Sequence, residues 1–192
     1  MQKDSLCLLY DSFADLLAYP TPSIWQQAET CLTQLRESYP QATPALEGFQ
    51  RGLQQRTLEQ MEELYTVVFD MQPICYPYVG YQLFGESYKR GAFMAQLNEA
   101  YHAFGYSVER ELPDNLSVIL RFLSLDSANR HTVPVSFREG EFCQALLNEG
   151  VAPALEKMLQ AFEPQSENPY FRLLTALQSV LVHTPEKEFD HA

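Results

Sequence analysis

A chain of 192 residues, 46% hydrophobic and 12% aromatic, can bury a sizeable core as one domain and is neither disordered nor fibrous in composition. Its 25 acidic and 13 basic side chains leave a formal net charge of −12. Such a surface repels phosphate backbones and anionic lipid, which makes nucleic acid and membrane surfaces poor partners; it either favours basic partners or serves solubility.

The chain opens on an apolar run, Leu6 to Tyr10, that Asp11 interrupts. This run lacks the core and cleavage site of a signal peptide. No apolar stretch approaches the ~20 residues that span a bilayer. The four cysteines, Cys7, Cys31, Cys75 and Cys143, have long irregular spacings and no histidine cluster. A zinc or iron–sulfur site is therefore not expected, and the thiols read as small buried hydrophobes of a reducing, cytoplasmic compartment.

Helical spacing dominates the rest. Leu6, Leu9, Tyr10, Phe13 and Leu17 form a first stripe after an Asp4 or Ser5 cap, closed by Pro20. Thr21-Pro22 reads as N-cap and first residue of a helix through Ile24, Ala28, Leu32, Leu35 and Tyr39. Leu46, Phe49 and Leu53 predict a shorter helix, and Leu58 to Phe69 another. Residues 70–86 hold two prolines, two glycines and a run of aromatics, which predicts a structured connection with one short helical turn. Phe93, Leu97, Tyr101 and Phe104 predict a helix ended by Gly105. After Glu111-Leu112-Pro113-Asp114-Asn115, the residues Leu116, Ile119, Leu120 and Leu123 predict the next. Residues 126–136 read as a polar loop. Further helices are expected at 137–149, 151–162 and 168–183, and the tail 185–192 should fray. Thr132 to Phe137 comes nearest to a strand, but Pro134 opposes it. The expectation is a single all-α domain over 1–192, with about eight or nine helices.

No catalytic constellation is present. The chain lacks Gly-x-Ser-x-Gly and a phosphate-binding glycine loop, and its histidines, His102, His131, His183 and His191, are scattered. Binding is better supported. Tyr76, Tyr78, Tyr81, Phe84 and Tyr88 crowd around Gly80, Gly85 and Gly91, a composition suited either to recognition or to packing the loop on the core. The turn Glu111 to Asn115 serves either as a helix cap, with Asp114 in the first helical turn, or as an acidic site for an arginine or lysine.

These segments carry a family resemblance. Glu63-Leu64-Tyr65-Thr66-x-x-Phe69-Asp70, Tyr78-x-Gly80-Tyr81-x-x-Phe84-Gly85-Glu86, Tyr88-Lys89-Arg90-Gly91 and Glu111-Leu112-Pro113-Asp114-Asn115-Leu116 occur in that order. The series resembles the NarJ-type nitrate reductase assembly chaperones, the nitrate reductase delta subunit family, within the TorD/DmsD group of redox-enzyme maturation chaperones. The resemblance implies an all-α, TorD/DmsD-like fold, no catalysis and no stably bound cofactor or metal. It implies a cytoplasmic chaperone that binds the apo catalytic subunit of a molybdenum enzyme at its N-terminal leader-like segment. That subunit is held until molybdopterin cofactor is inserted, before membrane attachment or export, with the cofactor-insertion machinery as a further partner. It places Tyr81, Phe84, Gly85, Glu86 and the turn Glu111, Pro113, Asp114 and Asn115 on the client-binding surface, and Tyr78, Arg90 and Leu116 beside them are further client-binding candidates. Asn115 stands where the family pattern has histidine, so charge gain near neutral pH is not available there.

In this reading a client helix buries its apolar face among Tyr78, Tyr81, Phe84 and Leu116, and its basic residues meet Glu86, Glu111 and Asp114. A stable structural subunit of a membrane-associated oxidoreductase is the alternative.

Overall fold

The computed structural model describes residues 2–108, 110–128 and 141–183. The predicted apolar spacings become helices in almost every case: α1 Gln2–Leu17, α2 Ile24–Ser38, a 3₁₀ turn Pro40–Ala42, α3 Thr43–Gln54 and α4 Leu58–Phe69. Then come α5 Val79–Phe84, α6 Tyr88–Ala103 and α7 Leu116–Ala128. The last stretch holds α8 Glu141–Ala145, a π turn Leu146–Val151, α9 Ala152–Gln160 and α10 Pro169–Val182. Among the described residues the expected all-α architecture is observed. Among the described residues the only extended pairing is an isolated antiparallel bridge between Tyr78 and Asn115.

The stripes seen in the sequence face inward. Leu9, Phe13 and Leu16 of α1 are fully buried, as are Leu46, Phe49 and Leu53 of α3 and Leu173, Leu174 and Leu177 of α10. α1 lies against α2 and α7, and α3 against α10. Arg121 of α7 straddles Asp11 and Asp15 of α1 at 3.2 and 2.7 Å, so charge fixes the outer edge of an apolar seam. A second apolar focus surrounds Phe122 of α7, whose ring lies 4.8 Å from that of Tyr101 and 5.1 Å from that of Phe104.

Several boundaries differ from expectation. α1 begins at Gln2, ahead of the proposed Asp4 or Ser5 cap. α2 begins at Ile24, not after Thr21; Thr21-Pro22 instead forms a turn whose carbonyl receives the Ile24 N–H at 3.0 Å. α7 runs on to Ala128, so residues 126–128 are helical rather than loop. The helices expected at 137–149 and 151–162 are one continuous path from Glu141, widened into a π turn at Leu146–Val151. Pro153 has no N–H to offer the carbonyl four residues back, and the widening lies immediately before it. The strand-like Thr132 to Phe137, the residues 129–140 and the tail from 184 lie outside the described residues.

Candidate functional site

The motif residues converge where α5, α6 and the start of α7 meet. Two backbone bonds join the strands of chain entering them: Val79 N–H donates to the Asp114 carbonyl at 2.7 Å, and Leu116 N–H to the Pro77 carbonyl at 2.8 Å. Asn115 takes the N-cap position of α7, because its Oδ1 accepts from the Ser117 N–H and hydroxyl, both at 2.9 Å. Capping therefore falls to Asn115, and Asp114 stands just before the helix rather than in its first turn. Freed from capping, Asp114 turns inward. It is fully buried and holds Arg90 of α6 in a fork, Nε to Oδ2 at 2.8 Å and Nη2 to Oδ1 at 3.3 Å. The Arg90 guanidinium carbon lies 5.2 Å from the Tyr78 ring centroid and 5.6 Å from that of Tyr81. A Cβ at Gly80 would come within 2.7 Å of the Asp114 carboxylate and 2.9 Å of the Phe93 ring, so only glycine lets α5 approach this closely. The Tyr101 hydroxyl donates to the Pro113 carbonyl at 2.8 Å and completes the clamp on the turn.

In this corner Arg90 is paired with Asp114, while Glu111 and Asp70 add further negative charge. The hydrogen bond that Arg90 donates to Asp114, and then the charge of that carboxylate, pushes the Arg90 pKa up. Burial pushes the Tyr78 hydroxyl up, with Glu111, Asp114 and Asp70 adding to it and Arg90 opposing. Glu111 accepts from the Asn115 side-chain amide. Partial desolvation still raises its carboxyl pKa, as do Asp70 and Asp114, against the lowering by that bond. A carboxyl raised in the folded state disfavours its own ionised form. Stability therefore falls as pH rises from the unfolded value of about 4.3 through the folded one, and the cost persists above it. Glu111→Gln keeps an acceptor for Asn115 and removes the charge. Its melting temperature should exceed that of the unsubstituted chain at about pH 7, and the gap should close near pH 4; thermal denaturation at both values checks this.

Of the residues implicated from sequence, Asp114, Asn115 and Leu116 are buried and take part in the clamp, and Pro113 is half-buried beneath Tyr101. Arg90 lies with them, its side chain 15% exposed. Tyr78 and Tyr81 are half-buried against Arg90, and Tyr76 packs on Tyr81 with ring centroids 4.2 Å apart. Gly85 ends α5 with φ at +61°. Phe84, Glu86 and Glu111 are exposed.

Phe84 opens onto a groove that the motifs did not indicate. Its cavity, about 420 Å³, lies between the α5–α6 hairpin and the α8–π turn. Leu83, Phe84 and Phe93 form one wall, and Phe142, Leu146 and Gly150 the other. Glu99 and Glu149 stand among its polar lining. The Phe84 and Phe93 rings meet edge to face at 5.9 Å. Gly150 of the π turn lies close to α5, a Cβ there meeting Val79 at 3.9 Å. Lys157 of α9 donates to the Gln82 carbonyl at 2.8 Å and holds the end of α5. The groove residues on the C-terminal side carry no motif of their own; the sequence signal was a glycine, Gly150, set in a helical pattern a few residues before a proline. A second cleft of similar size at the α3–α4 connection is lined by Gln55, Arg56, Gln60, Glu63, Leu64 and Val67. Among the described residues no cluster of His, Cys, Asp and Glu is arranged to hold a metal, and no helix is long and apolar enough to cross a membrane.

Comparison with known proteins bears on this geometry. No curated protein matches the chain significantly. A solved structure from Archaeoglobus fulgidus, described as a redox enzyme maturation protein, superposes with a TM-score of 0.57 at 20% identity, covering 95% of this chain and 94% of that one. This likeness shows a shared fold. The family model described as nitrate reductase delta subunit matches residues 32–163, which span α2 to α9 and include every residue of the clamp and groove. The chain belongs to the nitrate reductase delta subunit family.

Proposed function

We propose that this protein is a maturation chaperone for the catalytic subunit of a nitrate-reductase-like molybdenum enzyme. It binds the N-terminal segment of the apo subunit and keeps it open to cofactor insertion before membrane attachment or export. The observation that carries the reading is the apolar groove beside Phe84, bordered by Glu99 and Glu149, on a chain of net charge −12 in this family. Its volume lies in the range of clefts that bury a few side chains. An amphipathic helix would place its apolar face against Leu83, Phe84, Phe93 and Leu146, and its basic residues beside Glu99, Glu149 and the exposed Glu86. The protein itself carries out no reaction and keeps no cofactor; molybdopterin belongs to the client.

Calorimetry with the N-terminal peptide of a nitrate-reductase-type catalytic subunit from the same organism tests the reading. Phe84→Ala should weaken binding about tenfold, the worth of burying one aromatic ring. Glu149→Gln should weaken it about two- to threefold at low salt and less at high salt. Absence of binding at high micromolar peptide, with unchanged capture of the whole subunit by the Phe84→Ala variant, would refute the proposal. Co-purification decides the remaining question of role: a chaperone leaves the cofactor-loaded enzyme, whereas a structural subunit stays.

A further inference from the structure

The six-residue α5 is too short to hold a helical conformation by itself, so its place is decided by what it touches. Its first turn is fixed to the Asp114 turn by the Val79 N–H and by Gly80, which packs on the Asp114 carboxylate. Arg90, gripping that same carboxylate, sits one turn before Phe93 on α6. Phe93 in turn abuts both Gly80 and Phe84 and forms part of the groove wall. One buried ion pair thus connects both helices of the groove's first wall to the head of α7.

We propose that Arg90 and Asp114 are positioning residues that set this wall, and that the cations of the client are read by Glu99 and Glu149 instead. The inference rests on the reading of the groove as the client site. Both Asp114 oxygens are already engaged by the Arg90 fork, and the carboxylate has no exposed surface. An incoming arginine would have to expel a guanidinium that also rests on Tyr78 and Tyr81. Asp114 does not line the groove, whereas Glu99 and Glu149 do.

The test uses the full chain with Arg90→Met and Asp114→Leu together. Replacing a buried ion pair by apolar side chains of similar size often leaves stability intact, so the melting temperature reports fold integrity separately from the site. Hydrogen exchange is read at Gln82 and Gly85, whose amides close the turns of α5 on Tyr78 and Tyr81. The expected result is at least tenfold faster exchange there, at least tenfold weaker binding of the client N-terminal peptide, and a near-normal melting temperature. Asp114→Asn should leave the salt dependence of peptide binding unchanged, while Glu99→Gln with Glu149→Gln should flatten it. If the double variant does not fold, Arg90→Lys, which keeps the charge but not the fork, is read in the same way. Wild-type exchange at both amides overturns the positioning role, whatever the peptide does. A salt dependence flattened by Asp114→Asn overturns the assignment of the cations to Glu99 and Glu149. Should the unsubstituted chain not bind the peptide, the functional reading fails, and the exchange comparison still decides whether the pair positions α5.

Discussion

Asp114→Ala should cost about 3 kcal/mol of folding stability. The substitution leaves the Arg90 guanidinium, with only 15% of the side chain exposed, without the carboxylate that compensates it. It also opens a void beside Gly80, which packs directly on that carboxylate. Urea unfolding should show a lower midpoint with an unchanged slope, since the surface exposed on unfolding stays the same. A loss below about 1 kcal/mol, the scale of a surface pair, would mean that Arg90 turns out to solvent or to the nearby Glu86 carboxylate. The pair would then not be the anchor described above.

Phe122→Ala should be larger, at about 4 kcal/mol. Phe122 is fully buried, and its ring is surrounded by those of Tyr101, Phe104, Tyr106 and Phe142 at centroid distances from 4.8 to 6.5 Å. Alanine loses the transfer energy of the ring and leaves a cavity that rigid aromatic neighbours fill poorly. For a domain of this size the melting temperature should fall by about 10 °C. Phe142 also lines the groove, so its wall should loosen together with the core. A drop of only a few degrees would mean that the neighbouring rings collapse into the space.

The two substitutions probe features that differ in how far they could be read from sequence. Phe122 belongs to the helix whose stripe, Leu116, Ile119, Leu120 and Leu123, marks it as buried by periodicity, although Phe122 itself lies beside that stripe. Most helices were legible for this reason, since the spacing of apolar residues and the helix that buries them are the same local fact. Boundaries were less so. Asp4 and Ser5 look like caps, yet α1 starts earlier, at Gln2. The continuous path through Leu146–Val151 was hidden because Gly150 and Pro153 are breakers by local chemistry, while packing against α5 holds the chain helical in a wider π form.

The motif residues were legible in the sequence, but their arrangement was not. Glu86, Glu111 and Asp114 look alike as acids near aromatics. Only the fold separates them: Asp114 is buried and consumed by Arg90, Glu111 is bonded to Asn115, and Glu86 remains exposed. Leu116 likewise reads as a candidate apolar contact, and the head of α7 places it in the core.

The sequence by itself determined that this is an acidic, predominantly helical protein with nitrate reductase delta motifs, because composition, periodicity and motif order are properties of neighbouring residues. The tertiary structure decided which acids are already paired and where an apolar groove opens. Arg90 meets Asp114 across 24 residues, and the groove joins Phe84 to Leu146 and Glu149 across a still longer stretch of chain. What a charge can bind depends on the counter-charge that folding brings to it, and no local pattern encodes that meeting.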